Sequence, residues 1–352
     1  MDMADDHFLL RLAFFSSVIF GVSVIVTWLL ARHLKFLDVP NERSSHTVVT
    51  PRGGGIAIVT AFFLGIALIG FIGAGSPLQT GYFAGFLVAV AVIAISAVYD
   101  DFKSRSFTVK LGAQLLAIFI ALFCGIVIDG TELPWMGEIH WGWWGYPLTL
   151  LWLLGLTNAY NFMDGLDGLA AGTAVIAAFF LAVITFQQGS QFIYLAALAL
   201  GMASLGFLVF NLPPARIFMG DVGSTFLGLA FAVMAVVALR YDQARVSLFV
   251  VPLLLFHFIF DTSFTFVRRF LRGEKVFHAH RTHLYQLLNR SGYSHGKVTF
   301  LYAAMAVLQG SAAMWMSTQP ARYYLLMFIP FLTLQAFYAY WVMNKARSKG
   351  II

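Results

Sequence analysis

Long apolar stretches alternate with short polar segments along the whole chain. A helix that crosses a lipid bilayer needs about 20 mostly apolar residues, and eleven stretches are candidates for such spans. This pattern predicts an all-α fold, a polytopic membrane helix bundle in which residues 1–352 form a single domain. The predicted spans are 8–31, 53–72, 80–98, 109–128, 147–159, 169–186, 192–210, 222–239, 246–267, 298–316 and 323–343.

The composition argues against a water-soluble protein. Apolar residues make up 60% of the 352 residues and charged residues only 11%, and the mean hydropathy is +0.82. Ordinary globular chains carry about 25% charged residues. The single cysteine, Cys124, lies in an apolar run, so the chain can form neither an intrachain disulfide nor a thiolate metal cluster.

The charge distribution predicts an orientation. A net charge of +6 is compatible with nucleic-acid binding, but an excess of Lys and Arg also orients membrane proteins. The first span follows an acidic segment and precedes Arg32 and Lys35, which indicates an anchor with its N-terminus outside rather than a cleaved signal peptide. Eleven spans then place the C-terminus in the cytosol and nearly all basic residues on the inner side, so we expect no nucleic-acid partner. The exceptions are Arg11, Arg240, Arg245 and Arg322.

The polar clusters that could carry chemistry lie in predicted inner loops. The third span ends with the adjacent carboxylates Asp100 and Asp101, which resist joint ionisation unless a cation lies between them. Acidic groups at a helix C-terminus oppose its dipole, which favours a function over a solvated helix end. Lys110 follows and is either a phosphate ligand or an inner-face anchor. The loops predicted to form the active face are 32–52, 99–110, 159–168, 211–223 and 268–297.

Polar oxygens recur at steps of three between Asn158 and Asp167. On a helical path these groups share one face, and the glycines after the two aspartates allow close approach of a ligand. A turn in which Asp167 caps the next helix explains that residue but not Asn161 or Asp164. Further along, Asp221 precedes a Gly/Ser helix start, which combines a hard oxygen ligand with backbone donors for phosphate.

The longest inner loop is rich in histidine and arginine. Such density indicates zinc or anions, and the carboxylates and amides of the other loops favour phosphate over zinc. A solvated basic face that touches anionic lipid is the alternative. The first loop adds Arg52 before three glycines, another candidate anion site. Acidic oxygens among cations suit Mg²⁺-dependent phosphoryl transfer, and the membrane location implies a lipid substrate.

Together, these motifs resemble the polyprenyl-phosphate N-acetylhexosamine-1-phosphate transferases of the glycosyltransferase family 4 type, over residues 38–295. The resemblance implies that polyprenyl (undecaprenyl) phosphate attacks a UDP-N-acetylhexosamine, giving a polyprenyl-diphosphate sugar and UMP. It also implies Mg²⁺ as cofactor, with Mn²⁺ as the alternative ion, and a multi-pass protein of the bacterial inner membrane with a cytosolic active face. A homodimer is left open.

The same resemblance assigns roles to individual residues. Metal ligands are Asp221 and Asp101, and either member of the Asp100–Asp101 pair activates the lipid phosphate. The other catalytic positions are Asp164, Asp167 and His283. The substrate-binding positions are Arg52, Lys110, Asn158, Asn161, Asn211, Phe218, His280 and Arg281, with Asn211 and Phe218 in a uridine pocket.

The chain departs from the family pattern at two places that distinguish branches of the family. The cell-wall translocase branch has a lysine where this chain has Thr47, and Arg52 is the expected substitute. The common His-x-His-His signature is here His283-Leu-Tyr-Gln286, which looks more like the branch that initiates O-antigen synthesis with 6-deoxy sugars such as N-acetylfucosamine or N-acetylquinovosamine. The sugar, the prenyl length and the choice between one displacement and a covalent intermediate are left open by the sequence.

Two other classes of protein compete with this interpretation. A secondary transporter also has many helices, but its ionisable groups lie near the bilayer midplane. In this chain the polar clusters lie at the ends of the spans, and only Asp261 and His257 are predicted to lie deeper from the inner side. We expect these two to pair with other helices. A CDP-alcohol phosphotransferase needs an Ala-Arg after its Asp-Gly, which the segment beginning at Asp164 lacks.

Overall fold

The computed structural model describes residues 7–34, 36–40, 48–72, 81–103, 106–190, 192–240, 246–276 and 280–352. Within these ranges nearly all regular structure is helical, as predicted. The helices are α1 (Phe8–His33), α2 (Gly55–Ile72), α3 (Gly81–Lys103), α4 (Phe107–Phe123), α5 (Gly145–Phe162), α6 (Leu169–Gln187), α7 (Ile193–Asn211), α8 (Gly220–Arg240), α9 (Val250–Leu254), α10 (Phe256–Leu271), α11 (Leu284–Arg290), α12 (His295–Met316) and α13 (Phe328–Ser348).

Membrane-spanning character is clear for seven helical segments, which are long and apolar enough to cross a bilayer. Two shorter apolar helices, Gly55–Phe71 and Phe107–Phe123, accompany them. Each predicted span overlaps a helix, and the ninth is divided into α9 and α10 at Leu255. The count of eleven and the location of the termini stay predictions. The seven segments are α1, α3, α6, α7, α8, α12 and Ala321–Ser348.

Two small strand pairs depart from the all-α expectation. β1 (Leu37–Asp38) pairs with β2 (Thr50–Pro51), and β3 (Gly130–Leu133) forms an antiparallel hairpin with β4 (Gly137–His140). Positive φ angles at Trp135 and Gly137 allow the tight turn between β3 and β4. These segments are too short for an alternating pattern to stand out in the sequence, whereas the helical runs are long.

Helix α8 forms the centre of the bundle, and 94% of its most apolar 18-residue window is buried. It packs against α3 and α5 and, more briefly, α2. Glycines allow this close packing, because a Cβ on Gly228 would lie 2.7 Å from Thr157 Cα and one on Gly55 would lie 2.3 Å from Gly223 Cα. The packing brings the end of α3, the start of α4, the end of α5 and the start of α8 together at one end of the bundle.

Candidate active site

Two cations and three carboxylates meet where α3, α4 and α8 converge. The Lys110 ammonium lies 2.5 Å from Asp100 Oδ2 and 2.6 Å from Asp221 Oδ2. On the other side of Asp221, Arg52 Nη2 lies 2.8 Å from its Oδ1 and 3.2 Å from Asp101 Oδ1. Asp221 is therefore held between an ammonium and a guanidinium, each of which also neutralises a second carboxylate.

The backbone around α8 explains why Asp221 occupies this position. Gly220 has a φ of +76°, and a Cβ there would lie 2.5 Å from Asp101 Oδ2, so the turn requires glycine. The Asp101 carboxylate accepts hydrogen bonds from the N–H groups of Asp221 and Val222, at 3.2 and 3.3 Å. These are orphan donors at the start of a helix, where a carboxylate also complements the helix dipole. Asp101 thus fixes the start of α8.

The glycine run beside Arg52 is tied to the segment that precedes α8. Phe218 N–H donates to the Pro51 carbonyl at 2.8 Å, and the N–H groups of Gly53 and Gly54 donate to the Phe218 carbonyl at 3.2 and 2.9 Å. The first and fourth predicted loops are thereby held side by side. This backbone contact brings the Arg52 guanidinium to Asp221.

Asp164 lies near the same cluster, in the turn between α5 and α6. Its carboxylate accepts no hydrogen bond within the described ranges. Its pKa is raised to about 7, chiefly by burial; the carboxylates of Asp221 and Asp101 add to this rise, and the nearby Arg52 opposes it. A carboxyl group with this pKa, beside two like charges, is a group that a bound cation would stabilise in its ionised form.

A cavity of about 590 Å³ opens beside the charged cluster. Seven of the predicted site residues line it, and apolar side chains from α3, α4 and α10, including Ile93, Val109 and Phe266, form another part of its wall. The cavity thus joins a charged region to an apolar one. The seven residues are Asp100, Lys110, Asn158, Asn161, Asp221, His280 and His283.

Two asparagines on α5 have different partners in this cavity. Asn158 exchanges amide hydrogen bonds with Gln114 of α4, at 2.9 and 3.4 Å. Asn161 Nδ2 donates to Ser224 Oγ at 2.8 Å and lies 3.5 Å from Asp221 Oδ1. Both lie in the last two turns of α5, which extends past the predicted end of the fifth span at residue 159 and so includes Asn161 as well as Asn158.

His283 lines the cavity, and its ring contacts Asp261 and His280. His283 Nδ1 is 3.3 Å from Asp261 Oδ1, and its ring stacks on His280 at a centroid distance of 4.9 Å. Asp261 and His257, the two deeper groups of α10, contact other helices as expected: Asp261 binds Tyr302 of α12 at 2.7 Å, and His257 binds Gln309 at 2.6 Å. Paired groups of this kind give no support to an ion pathway.

The remaining predicted residues do not line the cavity. Asp167 accepts from Ala215 N–H at 3.1 Å and lies 3.2 Å from His295 Nδ1. Asn211 accepts from Gly168 N–H at 3.0 Å and donates to the Ile217 carbonyl at 2.9 Å. These contacts join the loop after α5 to the loop before α8. Phe218 is partly buried, and Arg281 accepts from Arg290 through its carbonyl.

Several loop residues of the sequence prediction lie outside the described residues, and the structure locates none of them. They are Lys35, Thr47 and Arg245, together with the rest of the first-loop segment 41–47.

The structure adds cavity residues that the sequence analysis did not single out. Gln114 lies one turn after Lys110 on α4, so its spacing could have indicated it. Thr265 and Arg269 lie on α10, and Arg269 is buried and paired with Glu274 at 2.8 Å. No local motif marks these α10 residues, because their position depends on how the ninth span breaks.

The donor set fits a hard divalent cation. Among the described residues no three His, Cys, Asp or Glu side chains converge as a preformed metal cage. Mg²⁺ does not need one, since it usually takes one or two carboxylates together with waters and substrate phosphates. The Asp221 and Asp164 carboxylates are oxygen donors of this kind.

Comparisons with known proteins show the family of the chain. The model of glycosyl transferase family 4 matches residues 83–239. A probable undecaprenyl-phosphate N-acetylglucosaminyl 1-phosphate transferase of Bacillus subtilis is 34% identical over 290 residues, which cover 80% of this chain and 79% of the relative. A decaprenyl-phosphate N-acetylglucosaminephosphotransferase of Mycobacterium tuberculosis is 32% identical over 304 residues, 78% of this chain and 74% of the relative.

A more distant relative is a phospho-N-acetylmuramoyl-pentapeptide-transferase of Streptococcus thermophilus, 27% identical over 75% of this chain and 83% of its own length. The Bacillus subtilis and Mycobacterium tuberculosis relatives each combine an identity above 30% with coverage of more than two thirds of both chains. The chain therefore belongs to glycosyl transferase family 4, in the group of polyprenyl-phosphate N-acetylhexosamine-1-phosphate transferases.

Proposed function

We propose that this protein transfers N-acetylhexosamine-1-phosphate from a UDP-sugar to polyprenyl phosphate and releases UMP. The observation that carries the proposal is the cavity that joins the Asp100–Lys110–Asp221 cluster to apolar walls from α3, α4 and α10. A lipid phosphate needs both surroundings, with cations for its head group and apolar side chains for its prenyl chain. The relatives' names include undecaprenyl phosphate and decaprenyl phosphate.

The two cations would bind the reacting phosphates. Lys110 and Arg52 each contact two carboxylates, and anionic phosphate oxygens compete for the same donors. Binding of a diphosphate would draw the ammonium and the guanidinium away from Asp221 and leave that carboxylate available. The cations would also stabilise the charge that develops on the transferred phosphoryl group.

Asp100 is the better candidate for activating the lipid phosphate. It lines the cavity beside Lys110, whereas the Asp101 carboxylate caps α8. In the proposed step, Asp100 accepts the proton of the lipid phosphate, whose oxygen forms a bond to the sugar-linked phosphorus. The bond from that phosphorus to the bridging oxygen breaks, and UMP leaves with the bonding electrons.

We propose Asp221 and Asp164 as the residues that hold Mg²⁺, with Mn²⁺ as the alternative ion. Such an ion would neutralise the negative charge of the diphosphate. Asp101 would act on this site indirectly, because it fixes the helix start that carries Asp221. Asn161, bonded to Ser224 and close to Asp221, would orient the same carboxylate.

The donor sugar is the finer part of the proposal. The names of two relatives contain N-acetylglucosamine derivatives, which makes UDP-N-acetylglucosamine the first donor to test. The segment from Arg281 to Gln286 favours the O-antigen initiating branch and a 6-deoxy sugar. We also propose a bacterial inner-membrane location with the charged end of the bundle facing the cytosol, which is where nucleotide sugars are present; a homodimer stays a prediction.

The test is incubation of the purified protein with polyprenyl phosphate, Mg²⁺ and a panel of UDP-sugars. We expect one N-acetylhexosamine donor to give a lipid-diphosphate sugar and UMP in equal amounts. UDP-glucose, which lacks the N-acetyl group, is the matched control. Failure of every N-acetylhexosamine donor to give lipid product would contradict the proposal, and solute accumulation in proteoliposomes would favour a transporter.

A further inference from the structure

Asp261 is a buried carboxylate in α10, with a relative exposure of 1%. It lies outside the group of carboxylates around Asp221 and accepts hydrogen bonds from three different helices or their first turns. An ionised carboxylate only accepts hydrogen bonds, and burial requires that its oxygens be well supplied with donors. The donors are His283 Nδ1 at 3.3 Å, Leu284 N at 2.9 Å, Tyr285 N at 3.1 Å, Tyr302 Oη at 2.7 Å and Thr265 Oγ1 at 3.3 Å.

The contacts with Leu284 and Tyr285 fix the start of α11. Their N–H groups belong to the first turn, which has no acceptors within its own helix. Asp261 supplies those acceptors from α10, so it determines where α11 begins relative to the cavity. The same carboxylate accepts from His283 Nδ1, and a neutral imidazole that donates there carries its lone pair at Nε2.

A second connection leads from α11 to the end of α5. Tyr285 Oη donates to the Phe162 carbonyl at 2.9 Å, and a Cβ on Gly165 would lie 2.2 Å from this hydroxyl. The Phe162 ring stacks on His283 at a centroid distance of 5.9 Å. Asp261 is thus connected through α11 to the turn that carries Asp164.

We infer that Asp261 is a positioning residue that holds His283 and α11 against the cavity. This inference rests on the proposed function, because it takes His283, which lines the cavity, to contact a phosphate of the substrates. Asp261 itself does not line the cavity, so its effect on turnover is expected to pass through His283 and not through contact with substrate.

A double-mutant cycle tests the inference. Asp261→Asn places an amide N–H₂ opposite groups that are themselves donors, and we expect kcat to fall on the order of 30-fold because the histidine is misplaced. In His283→Gln the histidine is already absent, so Asp261→Asn/His283→Gln should lie within about threefold of the worse single variant. The inference would be overturned if the fold-losses in kcat of the two single variants multiply in the double variant. It would also be overturned if folded Asp261→Asn has the kcat of wild type.

Two further variants keep the cycle interpretable. Gln309→Leu disrupts the buried His257–Gln309 contact between α10 and α12 without touching α11, and its kcat should stay within about threefold of wild type. If Asp261→Asn does not accumulate as folded protein, the same cycle is run with Tyr302→Phe, which removes one donor to Asp261. Non-additivity with His283→Gln supports the inference, and additivity or no effect overturns it.

A labelling measurement separates this inference from the proposed function. Diethyl pyrocarbonate modifies accessible neutral histidines, and peptide mass spectrometry gives the rate for His283 relative to the exposed His33. We expect the relative rate to rise about fivefold in Asp261→Asn, because the ring loses its anchor. An unchanged rate would contradict the positioning role even in an active enzyme, whereas inactive wild-type protein with this increase would contradict only the proposed function.

Discussion

Replacement of Asp164 by Asn is expected to stabilise the protein while it abolishes turnover. The difference between its pKa of about 7 and the ordinary 3.8 corresponds to about 4 kcal/mol. Partial solvent access screens the charges, so we expect the free energy of unfolding to rise by roughly half of this value, about 2 kcal/mol. The ionised carboxyl is the unfavourable form in the folded protein, and the amide removes that charge with little change of shape.

The sign of the pH dependence follows from the raised pKa. The folded protein binds the Asp164 proton more tightly than the unfolded chain does, so the contribution of this group is fully present below about pH 4 and is lost as the pH rises through about 7. Asp164→Asn should therefore match wild type near pH 4 and exceed it at pH 8.

Thermal unfolding in detergent with EDTA, measured between pH 5 and 8, tests this prediction. At pH 8 the variant should unfold about 4 °C above wild type, and the gain should shrink as the pH falls. Asp129→Asn is the control, because Asp129 pairs with Arg240 at the opposite end of the bundle. A variant that is no more stable than wild type at pH 8, or a gain that is independent of pH, would contradict the raised pKa of Asp164.

Two other predictions concern the charged cluster and the helix packing. Lys110→Gln removes the ammonium between two carboxylates, and kcat/KM should fall on the order of 100-fold in the lipid-product assay; the exposed Lys103→Gln should stay within about twofold of wild type. Gly55→Ala places a Cβ 2.3 Å from the α8 backbone and should lower the unfolding free energy by about 1–3 kcal/mol. Gly172→Ala, which has no neighbour within 4 Å, is the control in the same thermal assay and should show no loss.

The helices could be predicted because apolar runs of membrane length leave few alternatives in the sequence. The break at Leu255 and the β3–β4 hairpin could not, since neither changes the apolar pattern over a long enough window. The sequence also gives no direct indication that α8 is the central helix. That position depends on glycine contacts such as Gly55 with Gly223, which only the packed bundle reveals.

The sequence predicts which loops form the site, but not which residues of those loops line the cavity and which ones hold the loops in place. Asp100 and Asp101 are adjacent, and neighbouring residues on a helix point about 100° apart. One therefore lines the cavity while the other caps α8. Asp167 and Asn211 have oxygen atoms suited to a ligand, yet in the structure they accept backbone hydrogen bonds between loops. Tertiary contacts that decide such roles are not encoded by local spacing.

The Mg²⁺ dependence of UMP release by Asp221→Asn tests whether Asp221 holds the metal ion of a sugar-1-phosphate transferase. Among the described residues, Asp221 is the one carboxylate that contacts both Lys110 and Arg52, so we assign it to the metal and the diphosphate. In wild type, EDTA should stop UMP release and added Mg²⁺ should restore it. We expect Asp221→Asn to show a cooperative thermal unfolding transition, which indicates that it is folded. Its UMP release should nevertheless stay at background at every Mg²⁺ concentration. Wild-type turnover with Mg²⁺ in this variant would contradict the metal-binding role of Asp221.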